Sequence, residues 1–185
     1  MSGVERLKEK LPLLIKEVGM WSKENFGEQQ SKSRDIMLGS LAPLLGIMEE
    51  VGELMEAECK ESIGESAHEA RLDAVGDILI YFCDYIYREE VTLRYNHCEQ
   101  LTSDSRVPMV LVGKLCHATL KRHQGIRGYD VAAKYHAEIE KVATELVDWL
   151  FHYAGDMGLD LMTVGEQVWK TVVSKRNWKK DKVNG

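Results

Sequence analysis

Apolar side chains recur along this 185-residue chain mostly at steps of three and four, and only three prolines interrupt them. A half-buried strand needs alternation at steps of two and runs of β-branched residues, which are short here, so the chain is confined to helix. The expected fold class is all-α, an antiparallel helical bundle. At this length, 44% hydrophobic residues can bury a sizeable core in one compact domain or two small ones.

The first helix is expected from about Leu11 to Phe26, followed by a loop from Gly27 through Ser33. Ser40 ahead of Leu-Ala-Pro43 predicts the start of a second helix that runs to about Ser62 and stops at Gly64. Ser66-Ala-His-Glu69 has the form of a capping box and predicts a third helix over about 67–90. The poorly patterned stretch 91–106 is the expected boundary between halves. Beyond it the pattern predicts helices from about Pro108 to Arg122 and, capped by Asp130, from about Val131 to Met157. A last helix opens at the second box, Thr163-Val-Gly-Glu166, and ends in a basic run.

The halves 1–100 and 101–185 can be aligned. Gly52-Glu-Leu-Met-Glu-Ala-Glu-Cys-Lys60 lies over Gly113-Lys-Leu-Cys-His-Ala-Thr-Leu-Lys121, Gly64 over Gly125 and, with a short insertion, Glu69 and Asp77 over Glu140 and Asp148. This reads as an internal duplication packed as one compact unit. In the second copy Val110, Leu111 and Lys114 stand where Glu49, Glu50 and Glu53 stand in the first.

Those three glutamates are the strongest chemical signal. On a helix Glu49 and Glu53 stack one turn apart with Glu50 at the edge of their face, and Asp73 and Asp77 repeat the spacing on the next helix. A hairpin of the two helices brings the acid clusters face to face if the register fits. A solvated charged face is the usual meaning of helix charge. Here, however, the acids interrupt apolar faces carrying Ile47, Val51, Leu54, Val75 and Ile78. Mg²⁺ takes oxygen ligands from few carboxylates and keeps several waters, so the pattern suits it. A di-iron site needs Glu-x-x-His on two helices, and Glu65-Ser-Ala-His68 alone has that form, at a helix start. The other histidines show no zinc-ligand spacing.

The tail carries Lys170, Lys175, Arg176, Lys179, Lys180 and Lys182 around Asn177 and Trp178. It can complement a helix C-terminus or clamp phosphate over the acids. Trp21 and Trp178 can stack on a base or anchor helix ends. Net charge −6 argues against general nucleic-acid binding. Cys59, Cys83, Cys98 and Cys116 stand singly and read as reduced core thiols. No stretch has the length of a membrane span or the form of a signal peptide, so a cytoplasmic protein is expected.

Trp21-Ser-Lys-Glu-Asn-Phe-Gly27, Pro43-Leu-Leu-Gly-Ile-Met-Glu-Glu-Val-Gly-Glu-Leu-Met-Glu-Ala57 and Asp73-Ala-Val-Gly-Asp-Ile-Leu-Ile-Tyr81 together resemble the MazG-like nucleotide pyrophosphohydrolases of the all-α NTP pyrophosphatase superfamily. The family pattern is E-E-x-x-E followed by E-x-x-D; Glu49, Glu50 and Glu53 match its first part and Asp77 its final Asp. The resemblance implies hydrolysis of an NTP or dNTP to the monophosphate and pyrophosphate, in nucleotide-pool sanitation or control. It implies Mg²⁺ as cofactor, with Mn²⁺ as an alternative ion, and a homodimer or higher homo-oligomer. Carried over, Glu49, Glu50, Glu53 and Asp77 hold the metal, with one carboxylate orienting or deprotonating the water. Ala74 stands where the family has the Glu of E-x-x-D. Asp73 beside it can substitute, or Glu145 and Asp148 can complete a composite site. With neither, the chain is a catalytically dead module binding nucleotide or a protein partner. Substrate contacts are expected from Trp21, Lys175, Arg176, Asn177 and Trp178.

Overall fold

The structure, a computed structural model, describes residues 2–26, 36–94, 104–124, 129–171 and 173–176. The expected loop at 27–33, Cys98, Gly125, Asn177 and Trp178 lie outside them. The described residues form an all-α bundle: α1 (Gly3–Phe26), α2 (Ile36–Ser62), α3 (His68–Glu89), α4 (Arg106–Gln124), α5 (Tyr129–Asp156) and α6 (Leu161–Thr171), then one 3₁₀ turn, Val173–Lys175.

The helix starts differ from those expected because the capping partners differ. The α1 helix begins upstream at a true capping box. Ser2 Oγ accepts the Glu5 N–H at 3.2 Å, while the Glu5 carboxylate accepts the Ser2 N–H at 2.8 Å. Ser40 and Pro43 lie inside α2 and do not open it. Ser40 is buried and hydrogen-bonds Glu89 instead. The Ser66 box does not cap α3, whose N-cap residue is Ala67 with no side-chain bond. Asp104 caps α4 by accepting the Arg106 N–H at 2.9 Å. At α6 the cap is Asp160, which accepts from Thr163 N and Oγ1 at 2.7 and 2.9 Å, so Thr163 is capped and not capping.

The α2 and α3 helices form an antiparallel hairpin closed at Gly64, whose φ of +87° suits a residue without a Cβ. Helices α4 and α5 pair in the same way, and α4 also lies against α2. The α3 helix is central, touching α1, α2, α5 and α6. One continuous core joins Leu7, Leu11 and Val18 of α1 to Ile78 and Phe82 of α3 and to Leu146 and Trp149 of α5, so both halves share it. Where α3 crosses α6 the helices touch at glycines: a Cβ on Gly76 would fall 2.5 Å from Val168, and one on Gly165 2.4 Å from Leu79. Of the cysteines, Cys83 is buried and Cys116 half-buried, but Cys59 is exposed at the outer face of α2, so the expectation of core thiols fails there.

Two polar nodes fix the helix ends. At one, Tyr153 of α5 donates to Glu58 of α2 at 2.6 Å and accepts from Arg71 of α3 at 3.0 Å. At the other, Glu89 is 2% exposed and receives Arg122 and His123 from the end of α4, the latter at 2.8 Å, together with Ser40. Burial alone would raise the Glu89 carboxyl, but the bonds from His123 and Ser40 and the charges of His123 and Arg122 outweigh it and hold it below its ordinary value. Its stabilising effect is therefore present above the ordinary carboxylate pKa and is lost as pH falls through the lowered one. Glu89→Gln is expected to lower stability at pH 7 by about 2–4 kcal/mol, since it leaves Arg122 without its buried partner. The loss relative to the parent chain should shrink on acidification, and urea melts at pH 7 and pH 4 measure both.

Candidate functional site

The hairpin register is legible from three contacts. Arg88 Nη1 donates to the Gly39 carbonyl at 2.8 Å, Tyr81 lies on Gly46, and Arg71 pairs with Glu61. The ring of Tyr81 sits so close that a Cβ at residue 46 would fall 2.5 Å from its carbons. One turn further along, the same register sets Glu50 against Asp77.

Glu50 is therefore not at the edge of the acid face. It is the inward-pointing member, 9% exposed, while Glu49, Glu53 and Asp73 are exposed and Asp77 is half-buried. Burial, with Asp77, Glu53, Glu49 and Asp73 adding to it, pushes the Glu50 carboxyl up to about 8. Burial and then Asp73 push Asp77 up to about 6; Glu53 adds to this and Arg176 partly offsets it. Glu50 thus feels all four of the other acids and Asp77 feels Asp73 and Glu53, and among the described residues Arg176 is the cation that acts on Asp77. Ala74 is 1% exposed and faces the core, whereas Asp73 is the strongest charge acting on Asp77. Glu145 and Asp148, on α5, are not among the charges that act on Glu50 or Asp77.

Beside the acids lies a cavity of about 150 Å³ lined by Asp77 and Tyr81, by Val18, Trp21, Ser22 and Phe26 of α1, by Ile80 and Asp84 of α3, and by Val173 and Arg176. Two expected contact residues, Trp21 and Arg176, line it. Trp21 does so as an anchor: its indole N–H donates to the Arg176 carbonyl at 3.2 Å and its ring meets Phe26 and Trp169 edge-on. Lys175 is exposed on the 3₁₀ turn and is not part of the lining. Ser22, Tyr81 and Asp84 were not singled out by their sequence spacing. Tyr81 and Asp84 do continue the Asp73–Asp77 stripe at i+4 and i+7, a signal the acids alone did not extend.

The donor set is all carboxylate oxygen, which fits a hard divalent cation and not zinc or iron. Among the described residues, no three His, Cys, Asp or Glu side chains converge tightly enough to form a ready-made metal cage. The chemistry of the donors fits Mg²⁺ or Mn²⁺, with water and phosphate oxygens left to complete the shell.

The raised carboxyls set a sign for stability. The share of stability that depends on Glu50 is fully present below its ordinary pKa of 4.5 and is lost as pH rises through about 8. In metal-free buffer Glu50→Gln is expected to match the parent chain near pH 4 and to exceed it by about 1–3 kcal/mol at pH 8, read by thermal melts. A variant less stable than the parent at pH 8 contradicts the burial of this charge.

Comparison with protein-family models, curated proteins and solved structures found no match.

Proposed function

We propose that the chain is a Mg²⁺-dependent nucleoside triphosphate pyrophosphohydrolase of the MazG-like kind that its motifs resemble, with Mn²⁺ as an alternative ion. The observation that carries this reading is the register that sets buried Glu50 against Asp77, ringed by Glu49, Glu53 and Asp73 and opening on the Arg176 cavity. Four carboxylates gathered around the buried Glu50 cost stability, and a fold keeps such an arrangement where it has a use.

Glu49, Glu53, Asp73 and Asp77 would hold the ion through oxygen, with Glu50 adding to the shell or serving the water. Bound there, Mg²⁺ supplies positive charge against the triphosphate and polarises the scissile phosphorus–oxygen bond. Glu50, buried beside Asp77 with its carboxyl pushed up to about 8, is suited in its ionised form to take up the proton of the attacking water. The water oxygen bonds to the α-phosphorus, the bond to the α–β bridging oxygen breaks, and pyrophosphate leaves. Arg176 presents planar N–H donors to phosphate oxygens, and Lys175 beside it adds charge at the surface. A cytoplasmic nucleotide pool and self-association into a homodimer or larger assembly belong to the same reading. The acidic surface leaves long nucleic acids without counter-charge.

With the full chain, Mg²⁺ and a panel of NTPs and dNTPs, pyrophosphate release is expected and chelation should abolish it. Glu50→Gln and Asp77→Asn should each lower kcat at least about 100-fold. Release that survives either substitution unchanged sinks the assignment. The second reading, a catalytically dead module binding nucleotide or a protein partner, draws on the absence of a converged cage among the described residues and on Ala74. Calorimetric titration separates the two: an enzyme takes up Mg²⁺ at one defined site and Asp77→Asn weakens that uptake, whereas a relic shows neither.

A further inference from the structure

The far end of the cavity is a built polar corner that the hydrolytic chemistry does not use. Arg88 Nε donates to Asp84 Oδ1 at 2.8 Å, and its Nη2 donates to Ser22 Oγ at 2.6 Å. Both partners line the cavity. Ser22 is 2% exposed, and among the described residues its hydroxyl proton has no acceptor. A carboxylate carries more lone pairs than one guanidinium N–H occupies. Arg88 thus fixes the two groups so that Asp84 offers an acceptor and Ser22 a donor, side by side.

The volume sets the size of the guest. A cavity of about 150 Å³ with apolar walls holds one benzene-sized ring. The walls here are Val18, Trp21, Phe26, Ile80 and Tyr81, suited to the faces of such a ring. Asp84 is seven residues beyond Asp77 on α3, roughly 10 Å along the axis. That is the scale of a pentose between its phosphate and its base.

Building on the hydrolase reading, we propose that this cavity takes the base of the substrate, that the base is a pyrimidine, and that Asp84 and Ser22 select cytosine. Cytosine presents a 4-amino donor next to the N3 acceptor, the complement of the Asp84–Ser22 pair. Uracil and thymine present the reverse order, a 4-oxo acceptor next to an N3–H donor, and set a carbonyl against the carboxylate. Adenine has the cytosine pattern on its edge, but its second ring exceeds the space.

The experiment measures kcat/KM for dCTP, dUTP, dTTP, dATP and dGTP with the full chain and Mg²⁺, on the parent and on Asp84→Asn. The parent should favour dCTP at least about tenfold over each of the others, the scale of one charged hydrogen bond made or lost. Asp84→Asn, whose amide can turn to donate, should lose that preference and gain on dUTP. Val18→Phe, which fills the ring-sized space and leaves the polar corner intact, should raise KM for dCTP at least about tenfold while kcat changes little. Hydrolysis with equal rates across bases, a preference for purines, or a dCTP preference unchanged in Asp84→Asn overturns the proposal while leaving the hydrolase reading intact. If no nucleotide is hydrolysed, the hydrolase reading falls, and quenching of tryptophan fluorescence decides the pocket: stronger quenching by CMP than by UMP, lost in Asp84→Asn, upholds it, and equal or no quenching overturns it.

Discussion

The ring of Tyr81 packs closely on a stretch of α2 where Gly46 leaves no side chain, and the alignment of the α2/α3 hairpin follows from that contact. A shift by one residue would bring Leu45 or Ile47 under the ring, and the helices would have to part. With the alignment held, helical geometry leaves Glu50 no direction but toward Asp77. The repulsion between the acids is thus imposed on the hairpin by an aromatic contact a turn away and by the pairing of Arg71 with Glu61 beyond. The acids could not hold this arrangement themselves, since Glu50 is repelled by the other four and Asp77 by Asp73 and Glu53.

The parts that stabilise the molecule and the part that strains it accordingly lie apart. The continuous core under α3, the crossing at Gly76 and Gly165, and the Glu89 node are well satisfied. The acid cluster is not, and its cost is borne by the rest of the bundle. A half-buried carboxylate that titrates near neutrality is a weakness in a structural helix and an asset in a site that handles a proton.

Much of this could be read from the residues. The three- and four-residue period gave the helices, and the spacing of Glu49, Glu50 and Glu53 against Asp73 and Asp77 located the cluster, because helical spacing maps directly onto faces. What the spacing could not give was which acid turns inward. That depends on the rotation of α2 about its axis, fixed by Gly46 against Tyr81, two residues thirty-five apart in the chain. Helix starts were misplaced at Ser40 and Thr163, and the cap at Ser66, for a related reason. A capping box is a local pattern, and Ser40 finds a better partner in Glu89 of another helix. The Ser22–Arg88–Asp84 corner was invisible for the same cause, since its members come from α1 and α3 and meet only in the fold.

Arg88 also donates from Nη1 to the Gly39 carbonyl, so one guanidinium joins α1, α2 and α3. A lysine has three donors, but all on one nitrogen, and lacks the planar fork that spreads donors over three nitrogens. The corner and the packing of those helices therefore cannot drift apart under mutation. A substitution at position 88 is thus felt at once in the Ser22–Asp84 corner and in the seating of three helices.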